Sequence, residues 1–192
     1  MIGPHKTHYN QRQTRTGETS ATEQELLTRS CAGDANAYAT IVDQYKTALY
    51  THCFVLLRDE NIAEDIAQET FISAYYALDT FNPSKAKLST WLFTIATNKA
   101  LNWLKREARM VAADDRLIAS ITTTAPGPVE SALHQELYAA VARLRPKYRA
   151  IISLYYWQGF SYRDIARTIS APEGSVKVWM QRAKHNLRKE LA

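Results

Sequence analysis

Cysteine is scarce in this sequence, and no long run of apolar residues is present. Its 192 residues include only Cys31 and Cys53, which cannot build a disulfide framework, so a reducing compartment is expected. The longest apolar stretch, residues 48–57, is interrupted by a threonine and a histidine and is far shorter than the roughly 18 residues of a membrane-spanning helix. Residues 1–22 are polar and lack the apolar core of a signal peptide. We therefore expect a cytoplasmic protein with a loose N-terminal tail.

Glycine and proline are also few, at six residues each, which excludes a collagen-like or low-complexity chain. What the sequence does contain is apolar material for a packed core and an uneven distribution of charge. Hydrophobic residues make up 46%, and the formal charge is +5 for the whole chain, −2 for residues 20–110 and +6 for residues 130–192. A basic C-terminal part suits nucleic acid, whereas the near-neutral part before it suits protein contacts or DNA through a local patch.

Apolar residues recur at helical spacing along most of the chain, and strand-like alternation is scarce. The spacing predicts three helices in the first half: one that begins after Asp34 as its N-cap, a second after a break at residues 59–61, and a third over residues 89–109. The pattern fails over residues 110–128, which end in Pro-Gly-Pro and have the composition of a linker.

Helical spacing resumes at Leu133 and continues to the C-terminus. Pro146 suits the first position of a helix that Gly159 closes, and Ser161 with Asp164 resembles the capping box of the next helix. The chain is therefore predicted to be all-α, with two small helical domains joined by a flexible linker. The predicted boundaries are a tail at 1–22, a first domain at 23–110, a linker at 111–129 and a second domain at 130–192.

The last predicted helix, residues 172–191, has the pattern of the second helix of a helix-turn-helix. Its apolar positions recur at i, i+4, i+7 and i+11 and are expected to be buried: Val176, Met180, Ala183 and Leu187. The other side could reach major-groove edges and phosphates, and the helix N-terminus could bind a phosphate. The candidate DNA-binding residues are Ser175, Lys177, Val178, Gln181, Arg182 and His185. The alternative is a helical hairpin whose basic face is merely solvated.

A second candidate surface lies on the third predicted helix. One face combines aromatic, amide and cationic residues, flanked by Lys99 and Arg106: Trp91, Asn98, Asn102, Lys105 and Arg109. Such groups can stack bases, bond their edges and hold phosphates, as in proteins that bind single strands. The alternative is ordinary helix amphipathicity with Trp91 in the core, and the residues alone leave both open.

The second predicted helix carries an acidic cluster: Glu64, Asp65, Gln68 and Glu69. Clustered carboxylates can serve acid–base catalysis or bind a divalent cation, but adjacent residues on a helix point apart and no histidine lies nearby. An acidic face that is solvated or binds a basic partner is favoured. The remaining ligand-type residues fit no common zinc spacing: Cys31, His52, Cys53 and His134. We predict no metal, cofactor, small-molecule substrate or catalytic site.

Three blocks of the sequence resemble the sigma-70 family of bacterial RNA polymerase, specifically its small extracytoplasmic-function (ECF) class. The blocks are residues 64–71, similar to region 2.2; residues 89–98 with 102–106, similar to regions 2.3 and 2.4; and residues 144–189, similar to region 4. The resemblance covers about residues 26–109 and 133–191, which leaves out only the tail and the linker.

The resemblance implies a protein that binds core RNA polymerase and directs promoter recognition, −10 melting and transcription initiation for a stress or envelope-type regulon. The acidic cluster would contact the clamp helices of the largest subunit, and the flap and an anti-sigma factor are further implied partners. The −10 element would be held by the loop at 81–87 and the third helix, through Phe81, Lys87, Trp91, Asn98, Asn102, Lys105, Arg106 and Arg109.

The −35 duplex would be read mainly by Lys177, Val178, Gln181 and Arg182. Relatives usually carry a basic or polar residue where this chain has Trp179, and Val178 is apolar, so the preferred −35 sequence stays open. Two rival classes remain. A dimeric helix-turn-helix regulator would need a dimer helix, which is not visible, and a helical interaction protein would not need the basic and amide positions. An enzyme is the poorest fit.

Overall fold

The structure, a computed structural model, describes residues 22–113 and 132–191. In these ranges it contains α-helices, a 3-10 turn (Leu78–Thr80) and a π turn (Ser153–Trp157), and no strand. The helices are α1 (Glu23–Cys31), α2 (Ala35–Leu57), α3 (Glu60–Tyr76), α4 (Leu88–Ala113), α5 (Ala132–Ala142), α6 (Pro146–Ile152), α7 (Tyr162–Thr168) and α8 (Glu173–Glu190). The predicted all-α class is confirmed. Nearly all of the predicted tail and linker lies outside the described residues, and none of the described helices is long and apolar enough to cross a membrane.

Helix α1 was not predicted from the sequence, although a capping box marks its start. Thr22 Oγ1 accepts a hydrogen bond from the backbone N–H of Glu25 (3.3 Å), and Glu25 Oε2 accepts one from the N–H of Thr22 (2.7 Å). The helix has nine residues and buries only Leu26, Leu27 and Ser30. Its apolar stripe is too short to stand out as a periodic pattern, and packing against α2 provides the rest of its stability.

Capping residues set the junction between α2 and α3. Asp34 is the N-cap of α2, as predicted, and its carboxylate accepts hydrogen bonds from two backbone N–H groups of the first turn. The other end of α2 is closed by Arg58, which adopts a left-handed conformation with φ 65°. Asp59 then caps α3 at once by accepting from the N–H of Ile62 (2.9 Å). The break is therefore two residues long and begins one residue earlier than predicted.

The end of α4 lies four residues beyond the predicted end at Arg109. Residues 110–113 read Met-Val-Ala-Ala, which are compatible with a helix, and Met110 is 72% exposed. The first three residues of the predicted linker are therefore helical.

The C-terminal helices form the predicted helix-turn-helix. Pro146 is the first residue of α6, and Ser161 with Asp164 forms the capping box of α7. Gly159 reverses the chain before α7 with φ 68°, a conformation that glycine adopts without strain. Helices α7 and α8 then pack together over fully or nearly fully buried side chains: Ile165, Ala166, Val176, Met180 and Ala183.

The two halves of the described chain pack against each other. Helix α6 and the π turn lie against α2, and α7 lies against α4. Phe160, just before α7, packs edge-to-face on Phe93 of α4 with 5.3 Å between ring centroids. The buried apolar residues of both halves form one continuous cluster. The candidate surfaces are therefore displayed on the outside of a single packed body.

Candidate nucleic-acid interface

The exposed side of α8 displays the predicted duplex-reading residues. Ser175 is half-buried in the first turn, while the others are exposed: Lys177, Val178, Gln181, Arg182 and His185. Lys177 Nζ lies 3.0 Å from Glu173 Oε1, so Lys177 forms an ion pair with a carboxylate one turn away. The N-cap, Pro172, makes no side-chain capping hydrogen bond. The first backbone N–H groups of α8 consequently remain available to an anionic group.

Trp179 lies to one side of this surface and has a packing role. Lys147 of α6 places its ammonium 3.1 Å from the centre of the indole ring, a cation–π contact between the supporting helix and the recognition helix. Burial beside the ring lowers the pKa of Lys147. Trp179 therefore contributes to positioning α8, while the long polar side chains at nearby positions of the helix stay exposed.

The amide and cationic stripe on α4 is exposed as a group: Asn98, Asn102, Lys105, Arg106 and Arg109. Arg109 Nε donates to the carbonyl oxygen of Lys105 (3.2 Å), so its guanidinium lies along the helix surface. This face combines groups that bond base edges with groups that attract phosphate. The sequence prediction of one polar stripe on the helix is thus consistent with the observed exposure.

The sequence leaves open whether Trp91 belongs to the core or to the exposed face, and the structure places it between the two. Its side chain is half-buried and packs against Phe81, with ring centroids 5.2 Å apart and planes tilted by 42°. Between them along the chain, Asn82 Oδ1 accepts hydrogen bonds from the N–H (2.9 Å) and the hydroxyl (2.6 Å) of Ser84. The 81–87 loop is therefore a turn closed on itself that holds two aromatic rings beside the polar stripe.

Lys87 occupies a different environment from the rest of the loop. Its exposed side chain helps to line a polar cavity of about 340 Å³ at the junction of the two halves. Glu23 and Tyr45 line the same cavity from the first half, and Asp164 lines it from α7. Tyr45 donates its hydroxyl to Glu23 Oε2 (2.6 Å), and burial, followed by this bond, raises the pKa of the phenol. Lys87 thus faces two carboxylate-bearing residues as well as solvent.

The acidic cluster on α3 is exposed: Glu64, Asp65, Gln68 and Glu69. Gln68 Nε2 donates to Glu64 Oε1 (3.2 Å), and Lys99 of α4 forms an ion pair with Glu69 (3.1 Å). No group of three or more potential metal ligands occurs among the described residues. The geometry matches the expected protein-binding face better than a catalytic or metal site, because the carboxylates are spread along a solvated helix.

Exposed apolar residues, not predicted from the sequence, continue that face of α3. Ile72 and Tyr76 are 57% and 83% exposed, and they follow Asp65 and Glu69 at helical spacing on the same side of α3. Tyr75 is 41% exposed and packs edge-to-face on Tyr38, with 4.9 Å between ring centroids. The signal was present in the spacing, but apolar residues on a helix are ordinarily assigned to the core.

Both halves of the chain match models of known families. Residues 41–110 match sigma-70 region 2, and residues 134–187 match sigma-70 region 4. The ECF RNA polymerase sigma factor SigW of Bacillus subtilis is 33% identical over 171 residues, which cover 83% of this chain and 91% of SigW. The ECF RNA polymerase sigma factor BldN of Streptomyces coelicolor is 31% identical over 176 residues, covering 90% of this chain and 67% of BldN.

Solved structures share the arrangement of both halves. The sigma factor RpoE of Bartonella quintana, in complex with the anti-sigma factor NepR, superposes with a TM-score of 0.71 at 27% identity, covering 80% of this chain and 96% of that one. CnrH, in complex with the cytosolic domain of CnrY, has the same fold, with a TM-score of 0.64 at 23% identity and coverage of 86% and 94%. The resemblance drawn from the sequence motifs is confirmed, and the chain belongs to the sigma-70 family as an extracytoplasmic-function sigma factor.

Proposed function

We propose that three exposed helical faces of this sigma factor have separate binding roles. In this proposal α3 binds core RNA polymerase, α4 with the 81–87 loop holds the −10 element, and α8 reads the −35 duplex. The observation that supports it best is that α4 and α8 each combine a buried apolar side with exposed amide and cationic groups, whereas α3 exposes carboxylates. The two functional units are residues 23–110 and 130–192, joined through 111–129.

At the −35 element, the exposed side of α8 offers three kinds of base contact. Arg182 can donate two parallel hydrogen bonds to a guanine, and Gln181 can pair in the same way with an adenine. Val178 is 50% exposed and has no polar atom in its side chain, so it suits the methyl group of a thymine. Lys177, already close to Glu173, suits a phosphate, and Ser175 and His185 extend the contact along the backbone.

At the −10 element, α4 and the adjoining loop have the properties of a single-strand platform. Asn98 and Asn102 can bond base edges, while the cations near the end of the helix attract phosphates: Lys105, Arg106 and Arg109. The half-buried pair Phe81 and Trp91 provides an aromatic wall beside which an unstacked base can lie. In the proposed function Lys87 contributes positive charge at the start of the helix.

For core binding, the acidic cluster on α3 complements a basic partner such as the clamp helices of the largest subunit, and α5–α8 would contact the flap. The apolar residues Ile72 and Tyr76 would supply the buried centre of the contact, with the carboxylates at its rim, as is usual in protein interfaces. Because the structural neighbour RpoE is in complex with the anti-sigma factor NepR, we also propose that an anti-sigma factor binds this chain.

The proposed mechanism needs no catalysis by this chain, because the polymerase performs the chemistry and the sigma factor supplies binding and base selection. The protein would therefore act in the cytoplasm, where the polymerase and the promoters are, and not as an enzyme. A stress or envelope-type regulon is the corresponding physiological proposal for a member of the ECF class.

The test is run-off transcription with purified core polymerase and the 192-residue chain. The double substitution Asp65→Lys with Glu69→Lys reverses the charge of the proposed core-binding face, and like charges facing each other should abolish holoenzyme formation. The matched control is Asp43→Lys with Asp79→Lys, which makes the same change in net charge at exposed positions on α2 and the 3-10 turn. Equal core affinity of the two double variants would contradict the assignment of α3. Sequence-specific DNA binding with no transcription by the unaltered chain would instead support the dimeric regulator.

A further inference from the structure

The recognition helix α8 begins with a carboxylate that the candidate DNA-binding residues do not include. Glu173 is the first residue of α8 and is exposed. Its Oε1 lies 3.0 Å from Lys177 Nζ, with 45% of the Glu173 side chain and 58% of the Lys177 side chain exposed. A carboxylate repels the phosphates of a duplex, as like charges do across any interface. Glu173 therefore does not contribute to a general attraction of α8 for DNA.

Glu173 lies in one row with two of the candidate DNA-binding residues. Lys177 and Gln181 follow it at i+4 and i+8, so the three side chains lie along the same side of α8, and all three are exposed. In a helix-turn-helix, the N-terminal residues of the recognition helix contact base edges in the major groove. Glu173 is therefore at the end of α8 from which bases are contacted.

A role as a helix cap does not account for the placement of this carboxylate. In α1 and α7 an acidic residue of the first turn, Glu25 or Asp164, accepts a hydrogen bond from the backbone N–H of the N-cap. The N-cap of α8 is Pro172, which has no N–H to donate. The carboxylate of Glu173 pairs instead with Lys177, one turn toward the C-terminus. It is thus directed along the helix and not toward the positive end of the macrodipole.

The chemistry of the major groove limits the bases that such a carboxylate can bind. An ionised carboxylate only accepts hydrogen bonds, and cytosine offers it the N4 amine as a donor. Guanine and thymine present only acceptors to the major groove, and adenine places its N7 acceptor beside its amine, where that acceptor repels a carboxylate. Cytosine is therefore the base that Glu173 fits best.

Lys177 makes a carboxylate at this position compatible with DNA binding. Its ammonium is paired with Glu173 in the free chain, which offsets the negative charge beside the DNA backbone. Because an ammonium carries three N–H donors, Lys177 can keep this ion pair while it binds a phosphate. The carboxylate can then face a base edge without an unpaired negative charge near the phosphates.

We propose that Glu173 is a specificity-determining residue of the −35 contact, whose carboxylate accepts a hydrogen bond from the N4 amine of a cytosine. This inference rests on the proposed function of α8 as the helix that reads the −35 duplex, and it adds one base to that reading. Glu173 lies two turns before Gln181, or about 12 Å along a helix, which corresponds to about four base pairs at 3.4 Å per step. The cytosine should therefore lie within about four base pairs of the position that Gln181 reads.

The experiment selects promoter DNA with holoenzyme assembled from core polymerase and the 192-residue chain. The probe is a pool of promoter fragments randomised over the −10 and −35 regions, and sequencing of the bound fraction gives the base preference at each position. For the unaltered chain we expect one −35 position at which cytosine is preferred about tenfold. The absence of any such position from a selected −35 element would overturn the proposal.

The variant that tests the contact most sharply is Glu173→Gln, because a glutamine amide pairs with both the amine and N7 of adenine. It should replace the cytosine preference by a preference for adenine at that one position, whereas Glu173→Ala should leave no preference there. The matched control is Glu190→Gln, which removes one carboxylate and one exposed ion pair, with Arg143 (3.1 Å), from the other end of α8. A cytosine preference that survives Glu173→Gln, or that is lost equally in Glu190→Gln, would overturn the proposal.

Gln181→Ala provides the reference position along the duplex. The position that loses its preference in this variant should lie within about four base pairs of the cytosine, and a greater separation would overturn a direct contact by Glu173. The same selection separates the two levels of inference. If the unaltered chain selects no sequence at −35, the proposed function of α8 is wrong, whereas a selected −35 element in which no cytosine depends on Glu173 overturns only the role of this residue.

Discussion

The ammonium of Lys147 lies 3.1 Å from the centre of the Trp179 indole ring and joins the recognition helix α8 to the supporting helix α6. The contact assigns an architectural role to Trp179, at a position where the family resemblance leads us to expect a basic or polar residue. It also separates two properties that substitutions in α8 would otherwise change together, the stability of the helix-turn-helix and its choice of bases.

The first prediction is that a substitution at Trp179 changes the stability of the helix-turn-helix but not its choice of bases. Trp179→Ala should lower the free energy of unfolding by about 1–3 kcal/mol, because a half-buried aromatic side chain and its cation–π contact are lost. Its relative preference among −35 sequences should be unchanged. Urea unfolding and duplex competition assays check the two parts, with Lys147→Met as the control that removes the charge alone. A changed base preference at full stability would show that Trp179 reads DNA.

A second prediction distinguishes base reading from phosphate binding on α8. Arg182→Ala should cost about 1–3 kcal/mol on a matched duplex and relax specificity at one position. Lys177→Ala should weaken binding to all duplexes about equally and reduce the salt dependence. Binding curves at several salt concentrations, on matched and mismatched duplexes, make the comparison. Equal losses on every sequence for Arg182→Ala would remove its proposed role.

The third prediction extends the core-binding face along α3. Replacing Ile72 and Tyr76 together by serine should weaken core binding at least tenfold, because two large exposed side chains that would be buried in the complex are lost. Since both are solvent-exposed in the free chain, the free energy of unfolding should change little. A titration of labelled core checks the affinity, with Leu191→Ser as a control at another exposed apolar residue. Unaltered affinity would restrict the interface to the acidic cluster.

The fourth prediction follows from the burial of His52. Complete desolvation lowers its pKa from 6.5 to about 3, so between these values the unfolded chain binds a proton that the folded chain excludes. The stabilisation is present above pH 6.5 and is lost as the pH falls toward 3. From pH 7.5 to pH 5 the free energy of unfolding should fall by about 2 kcal/mol from this residue. Urea unfolding at both values checks it, and His52→Gln should show a correspondingly smaller loss.

Much of the fold could be predicted from local signals. Asp34, Pro146 and the Ser161–Asp164 capping box mark helix starts where the structure has them, because caps act through hydrogen bonds within one turn. The errors were also local: α1 is too short to show periodicity, and α4 continues past Arg109 to Ala113. The predicted linker lies outside the described residues, apart from the helical residues 111–113.

The candidate surfaces were predictable for a similar reason. Exposed residues on one helix face keep their spacing whatever the helix packs against, so the stripes on α4 and α8 and the carboxylates of α3 follow from periodicity and residue type. The half-burial of Trp91 and the exposure of Ile72 and Tyr76 were not predictable, because the same spacing is compatible with burial or exposure until neighbouring helices are in place.

Residues a few positions apart account for most of the helices and caps, for the basic character of the second half and for the polar faces of α3, α4 and α8. The contact of His52 with Ser153, 101 residues further along the chain, and that of Phe93 with Phe160 arise only when the helices pack together. A histidine among apolar residues has no local partner that identifies its role. Its hydrogen bonds exist because α6 and the π turn pack on α2, and that packing depends on the whole core rather than on any one segment.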